Sequence, residues 1–409
     1  MRSQPLSEAR AGPIWRRPEA FLVLMAIAMP LSFSVWSALL NNFVIEVASF
    51  DGSDIGWLHT VREIPGLLAV GVIAIIIFIR EQVLALSMLI LLGAATAVTA
   101  WFPTMGGLLA ITMLSSIGFH YYETANQSLQ LQWLEKDRAP QVLGWLIAAG
   151  SAATFVAYLV IVLTWRAFDL DYNTIYMAAG GLTVAIAIYL FVAFPQIEAP
   201  VPQLKQMVIR RRYWLYYALE FMAGARRQIF VVFAGFMMVE KFGFEVHEVT
   251  ALYLINLVVN VIVAPVLGRA VAYFGERNTL SFEYLGLTLV FLAYGGLYYF
   301  SWGVAVAAFL YVVDHIFFGL ALAKKTYFQK IAGAEDIAPT AAVSFTINHI
   351  AAVFLPAALG YLWLASPASV FLLAACMALI SLILSLLIPR HPGPGNETIL
   401  TQPLPAAAG

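Results

Sequence analysis

Charge, cysteine and nucleotide-binding sequence are what this chain has least of. Only 11% of its 409 residues are charged, where soluble domains run near a quarter, so a water-soluble globular class is excluded. The single cysteine, Cys376, rules out an intrachain disulfide framework and a cysteine metal cluster. No Gly-rich loop closes on Lys-Ser or Lys-Thr, which argues against direct use of ATP, and no cofactor or resident metal is implied. No nucleophile and base stand at a recognisable spacing, and nothing globular is appended for signalling. These absences weigh against an intramembrane enzyme and a receptor, which stand as the alternative from a different class. With a net charge of −1, nothing supports a nucleic-acid partner.

What the chain has is apolar sequence: 62% of residues are hydrophobic and the mean hydropathy is +0.85. The class is an all-α polytopic membrane protein. Runs of about 20 apolar residues suffice to cross a bilayer as helices. Bounded by charge, Pro or Gly, they predict twelve transmembrane helices at 19–44, 55–78, 83–101, 106–131, 139–165, 172–194, 213–239, 247–272, 279–300, 303–330, 337–364 and 367–389. The longest internal polar stretch, 195–212, ends in Arg210, Arg211 and Arg212. It separates an N-terminal six-helix half, 19–194, from a C-terminal half, 213–389, with a central cavity expected between them. Residues 1–18 form an N-terminal tail followed by a retained first span. The Pro- and Gly-rich residues 390–409 are expected to be a disordered tail.

Orientation follows from the basic residues. Placing the amino terminus, the even-numbered connections and the carboxyl terminus on one side collects seventeen lysines and arginines there, among them Arg16, Arg80, Lys136, Lys205 and Arg390; the other side has Arg166 and Lys241. By the positive-inside rule both termini and the 195–212 loop are cytoplasmic. A bacterial inner membrane and a monomer are expected. The halves also repeat one another, as in many transporters. Gly71–Val83 aligns with Gly268–Leu280, pairing His59 with Asn256 and Glu63 with Asn260; the sequence around His120 matches that around His315, and Ala139-Pro140 matches Ala338-Pro339.

With this layout, and with GRAVAYFGERN after the eighth span, the chain resembles the major facilitator superfamily of secondary transporters. Gly268, Gly275 and Arg277 fit that superfamily's gating-loop motif, whereas Ala272 stands where the family usually has Asp. The first-half copy keeps little beyond Gly71 and Arg80, and 144–155 lacks the glycine-proline motif associated with drug antiporters.

Polar residues inside the spans are the candidate functional groups, since a charge at bilayer depth costs at least about 3 kcal/mol and survives only against a cavity, a counter-ion or a substrate path. The seventh span carries Glu220, Arg226 and Arg227. Arg227 shares a helix face with Glu220, while Arg226 needs a distant partner, for which Asp314 in the tenth span is the first choice. His59, Arg62 and Glu63 share one face of the second span. His120, Glu123, Asn126, Gln127 and Gln130 make a polar stripe along the fourth. Lys325 and Gln329 continue the Asp314 face, and His315, Asn256, Asn260 and His349 add polar edge. Tyr122, like Trp36, Phe119, Tyr253 and Phe318, lies beside these stripes.

The reading is a secondary transporter, working by alternating access, for a small organic anion. Arg226, Arg227, His120, Tyr122, His315 and Asn256 are expected at the substrate, with Glu63, Arg62, Glu123, Glu220 and Asp314 as proton-coupling or charge-pair groups. Two structural ion pairs would serve the arginines equally well. Divalent metal transport is the runner-up, because His120 with Glu123, and Asp314 with His315, offer nitrogen and oxygen ligands; two nearby arginines would repel a dication.

Overall fold

The computed structural model describes residues 3–68, 72, 75, 78–134, 138–198, 209–333 and 336–400. Gly71, Lys136, Lys205, most of the central loop and the tail beyond 400 lie outside the described residues. The chain divides into two compact units, one of Met1–Phe50, Trp57–Leu204 and Gly243–Leu254, the other of Asp51–Gly56, Lys205–Phe242 and Ile255–Gly409.

Helices dominate both units. The first contains α1 (Leu6–Ala11), α2 (Pro18–Glu46), most of α3 (Gly52–Leu67), α4 (Glu81–Ala97), α5 (Met105–Trp133), α6 (Ala139–Thr164) and α7 (Tyr172–Ala193). In the second, α8 (Trp214–Gln228) runs through a π-helical stretch, Ile229–Ala234, into α9 (Gly235–Glu240). The long α10 (Val246–Tyr299) begins in the first unit and continues in the second, followed by α11 (Val304–Gly319), α12 (Leu322–Ile331), α13 (Ile337–Ala365) and α14 (Pro367–Leu386). Among the described residues, eight helical stretches are long and apolar enough to cross a membrane. Two of the expected spans, 247–272 and 279–300, are run together in α10, whose backbone leaves the helical region at Gly275 with φ 77° and ψ 167°. Glycine tolerates that conformation where other residues are strained, so the motif glycine makes the turn between two helices.

Small residues let the helices close up where lipid offers no hydrophobic drive for association. In the first unit α4 packs between α5 and α7, and α2 lies on α6 and α7. A Cβ on Gly93 would meet the Gly180 carbonyl oxygen at 2.8 Å, and one on Gly180 the Gly93 oxygen at 2.2 Å, so α4 and α7 touch backbone to backbone. Towards the α2 N-terminus, Phe21 sits edge-on to Trp133 and Phe194, with centroids 5.4 Å away in each case. In the second unit α8 packs on α13 and α14.

The all-α expectation needs one amendment. Residues Ser3–Pro5 (β1) and Gln196–Glu198 (β2) form a parallel pair, with Gln4 opposite Ile197. Buried Gln82 fastens it: its amide donates to the Pro195 oxygen at 3.0 Å and its amide oxygen accepts from Ile197 N–H at 2.9 Å. Arg10 donates to the Trp133 carbonyl at 2.8 Å, tying α1 to the end of α5. Strands of three residues carry no readable alternation, which is why the pattern gave no sign of them.

The expectation of a tail disordered from residue 390 is corrected for 390–400. There the Pro and Gly residues build turns instead of preventing structure. Gly395 has φ 81° and its N–H donates to Glu397 Oε1 at 3.0 Å. Ile399 N–H donates to the Leu387 oxygen at 2.9 Å, and Tyr327 Oη in α12 donates to the Glu397 oxygen at 2.6 Å. Glu397 and Thr398 are buried.

The Gln82 clasp yields a stability prediction. Replacing it with Leu leaves the part-buried Pro195 carbonyl and the buried Ile197 N–H without their partner, at about 1–3 kcal/mol. Gln82→Leu should therefore lower the melting temperature of the detergent-purified protein by several degrees and make the bond after Arg10 more sensitive to trypsin.

Candidate functional site

Helix α8 turns a run of aromatic and small residues into a helix with two adjacent guanidinium groups at its C-terminal end, followed at once by the π-helical stretch. Neighbouring helical residues diverge by about 100°, and the two arginines accordingly enter different surroundings. Arg226 is 1% exposed, and its Nη2 donates to Glu283 Oε1 at 3.1 Å, a residue that is itself 0% exposed. Nη1 reaches Ser381 Oγ at 3.4 Å, and the guanidinium lies over the Tyr284 ring, 4.9 Å from its centroid, with Phe318 at 5.7 Å. This is a dry ion pair joining α8, the second half of α10 and α14. The expected partner, Asp314, is corrected to Glu283. Asp314 on α11 is fully buried, and neither carboxylate oxygen accepts a hydrogen bond among the described residues.

Arg227 is half-buried, and its Nη2 donates to Asn348 Oδ1 on α13 at 3.1 Å. The Asn348 amide in turn donates to the Glu220 backbone oxygen at 3.3 Å. The expected local pairing of Arg227 with the Glu220 carboxylate is also corrected: that carboxylate binds Lys324 Nζ at 2.9 Å. Lys324, not Lys325, faces inward, because the chain breaks helical phase between α11 and α12 at Leu320–Ala321; Lys325 and Gln329 are exposed.

In the first unit, Arg62 and buried Glu63 on α3 form an ion pair. The Arg62 carbonyl accepts from Ser116 Oγ of α5, which lies 3.0 Å from His120 Nδ1. A small pocket of about 10 Å³, room for a single water, lies here, lined by Arg62, Thr112, Ser115, Ser116 and His120 on its polar part and by Phe33, Trp36 and Phe119 on its aromatic part. Phe33 and Phe119 stack at 4.5 Å. His59 is buried with its ring 6.5 Å from that of Trp36.

The α5 stripe is only partly one face: His120 and Asn126 are buried, Glu123 and Gln130 half-buried, and Gln127 exposed. Gln127 donates to Glu123 at 3.4 Å. Tyr122 belongs to the hydrophobic cluster, its hydroxyl donating to the Met25 oxygen at 3.1 Å. In the second unit, half-buried His315 lies 6.5 Å from the Phe230 ring. Asn256 is buried, whereas Asn260 is exposed. Beside Gly275 the motif turn presents Glu276, which pairs with Lys330 at 2.7 Å, while Arg277 is half-buried and a Cβ on Gly268 would meet nothing within 4 Å.

Sequence reasoning missed Glu283, Lys324, Asn348 and Asp336. The last closes a cluster ahead of α8: Asp336 accepts from Arg212 at 2.7 Å, Arg210 at 3.2 Å and Tyr213 Oη at 2.9 Å. The Arg212 hydrogen bond, with those of Tyr213 and Arg210, holds its carboxyl below the usual range despite desolvation.

The sequence model described as Major Facilitator Superfamily matches residues 20–333. The chain belongs to this superfamily. As a Major Facilitator Superfamily protein it is an integral membrane transporter and not an enzyme. No curated protein matches it. Among solved structures, the nucleoside transporter NupG is similar with 13% identity and a TM-score of 0.72, covering 90% of this chain and 97% of that one. A bacterial homologue of the human lysosomal transporter Spinster, inward-facing and occupied, gives 12% identity, coverage of 91% and 97%, and a TM-score of 0.68. A POT family transporter in complex with 5-aminolevulinic acid gives 12%, 93% and 98%, and 0.69. At these identities the likeness is one of fold.

Two predictions follow from the ion pairs. Arg226→Ala leaves Glu283 buried without its cation, a loss of about 3–5 kcal/mol for a broken buried pair. Folded yield and melting temperature should fall sharply, and Glu283→Gln on the same chain should recover much of both. For Asp336 the folded carboxyl titrates below its unfolded value near 3.9, so its contribution is complete above that value and disappears as pH falls through the folded one. Asp336→Asn should thus lower the melting temperature at pH 7, and the gap to the parent should close below about pH 4.

Proposed function

We propose that this transporter has twelve spans in two six-helix halves enclosing a central cavity, with both termini in the cytoplasm of a bacterial cell, and that it moves a small organic anion by alternating access coupled to protons. The divergence of the adjacent arginines carries this reading. Arg226 is committed to a dry ion pair, whereas Arg227 is half-buried and donates to a neutral amide oxygen of Asn348. A substrate carboxylate or phosphate oxygen can replace that amide, and the planar guanidinium can then bind it in a bidentate manner. The proposed substrate anchor is therefore Arg227 with Asn348, and Arg226 serves structure.

In the first unit His120, expected at the substrate, lines with Phe33, Trp36 and Phe119 a pocket of about 10 Å³, which holds a water and not a ring. Tyr122, His315 and Asn256, also expected at the substrate, have weaker support, since Tyr122 bonds to a backbone oxygen in a hydrophobic cluster. In the first unit Glu63, paired to Arg62 and close to the Ser116–His120 chain, is the proposed coupling carboxylate, with Glu123 as second. The turn at Gly275 and Arg277 is proposed to take part in gating through the neighbouring Glu276–Lys330 pair.

The test uses the purified protein and then proteoliposomes. A thermal-shift screen against organic anions, nucleosides, amino acids, sugars and divalent metals reports the ligand class, because binding raises the stability of the folded form alone. Organic anions should give the shifts; shifts restricted to metals or neutral solutes would overturn the anion reading. With a ligand in hand, Glu63→Gln should preserve substrate exchange across the bilayer and abolish accumulation driven by a pH gradient, since Gln retains hydrogen bonding but not the exchangeable proton. Parent-like accumulation would remove Glu63 from the coupling path.

A further inference from the structure

In the first unit the N-terminal segment is built into a groove. Strand β1, helix α1 and the 3-10 turn Ile14–Arg16 are set against the end of α7. The segment is held there by the β1–β2 pair, by Ala9, which enters the hydrophobic cluster, and by Arg10, which donates to the Trp133 oxygen at 2.8 Å. Within it, Arg17 Nε donates to the Gly12 oxygen at 3.0 Å and the Arg16 N–H to the Pro13 oxygen at 2.9 Å. Between this strap and α7 lies an open groove of about 560 Å³, whose walls include Gln4, Glu8, Pro13, Arg16, Val192 and Phe194.

The groove lies where lipid headgroups meet hydrocarbon. Helix α7 has 22 apolar-rich residues, enough to cross a bilayer, and Val192 stands in its last turn, 80% exposed. Tyr189, three residues earlier and so on the same face, is also exposed, and its ring packs on Phe194 with centroids 6.4 Å apart. On the strap Ile14 and Trp15 are exposed as well, and an amphipathic ring beside an apolar side chain suits the membrane–water interface. An acyl chain lying on Tyr189 and Val192 thus leads into the groove. There Glu8 and Arg16 supply one charge of each sign. Both are exposed, and neither side chain is in an ion pair among the described residues.

We propose that this groove binds a membrane phospholipid with a zwitterionic amino headgroup, of the phosphatidylethanolamine type. Arg16 takes the phosphate, since its planar fork matches two phosphate oxygens. Glu8 accepts from the ammonium N–H groups, and charge-assisted hydrogen bonds of this kind are the strong ones. The Tyr189–Val192 face takes the first methylenes of an acyl chain. A headgroup that is anionic and lacks an amine meets Glu8 as a like charge, and a trimethylated one has no N–H to donate, so the two opposite charges of the groove make it selective. The bonds that fix the strap involve neither side chain, and the site's argument uses no property of the transported solute.

Native mass spectrometry of the full-length, delipidated protein tests this with equimolar phosphatidylethanolamine, phosphatidylglycerol and phosphatidylcholine of identical chains. The parent should retain phosphatidylethanolamine in preference to the other two. Arg16→Gln should lower that retention about three- to fivefold, the effect of losing an exposed ion pair. Glu8→Gln should abolish the preference over phosphatidylcholine, and Glu8→Lys should shift it towards phosphatidylglycerol. All three variants should melt like the parent, because neither side chain is buried, and every other lipid contact is common to them, so the differences report this groove. A parent without the preference, or variants that keep it unchanged, would overturn the proposal. Glycerophosphoethanolamine, the same headgroup without chains, separates the lipid from a soluble ligand. It should displace the lipid only at a large molar excess; displacement at equal concentration would overturn the lipid as occupant.

Discussion

A guanidinium taken out of water must be met by a counter-ion, and the Arg226–Glu283 pair is where this chain meets that demand most completely. Both members are within 1% of full burial and lie 3.1 Å apart. The pair draws together α8, the second half of α10 and, through Ser381, α14. Desolvating two ions costs several kcal/mol each, so such a pair adds little net stability while making the loss of either partner severe. It specifies which faces of three otherwise greasy helices meet. Apolar side chains alone do not encode that choice, because lipid satisfies them in any rotation.

Once Arg226 is fixed, the helical period sends Arg227 to another side of α8, where it meets Asn348. The chain thus separates a buried structural cation from a half-buried one within a single dipeptide. The polar chemistry of the first unit is arranged differently: Arg62 and Glu63 neutralise one another, Ser116 links the Arg62 carbonyl to His120, and stacked aromatic rings close the pocket beside them. Among the described residues, then, Arg62, Arg226 and Lys324 pair with Glu63, Glu283 and Glu220 within their own units, while neither oxygen of buried Asp314 accepts a hydrogen bond.

Much of this was legible beforehand. Apolar run lengths placed several of the helices to within a few residues, as with the expected 139–165 against Ala139–Thr164. The motif GRAVAYFGERN identified the superfamily, and Gly275 does adopt the backbone conformation that favours glycine. Partner choice was not legible. Asp314 and Glu283 are both single acids in apolar helices, and one-dimensional sequence does not say which rotates towards Arg226; Glu283 also drew no attention because it lies only six residues beyond Arg277, close to a charged turn. Lys324 was missed for a local reason, the loss of helical phase at Leu320–Ala321, which moved the inward position by one residue. The strand pair and the folded 390–400 segment escaped because they are fastened by side-chain bonds between Gln82 or Tyr327 and backbone atoms far along the chain.

The claim that the two adjacent arginines have separate duties is tested most directly by measuring melting temperature and ligand affinity on the same preparations of Arg226→Lys and Arg227→Lys. A lysine keeps the charge but not the planar fork. The account predicts that Arg227→Lys melts like the parent and binds the organic anion about 10- to 100-fold more weakly, the equivalent of losing about 1.5–3 kcal/mol from a charged hydrogen bond. Arg226→Lys should melt several degrees lower, with the affinity of its folded fraction little changed. The reverse pattern, weak binding in a stable Arg226→Lys protein and unchanged affinity in Arg227→Lys, would contradict it.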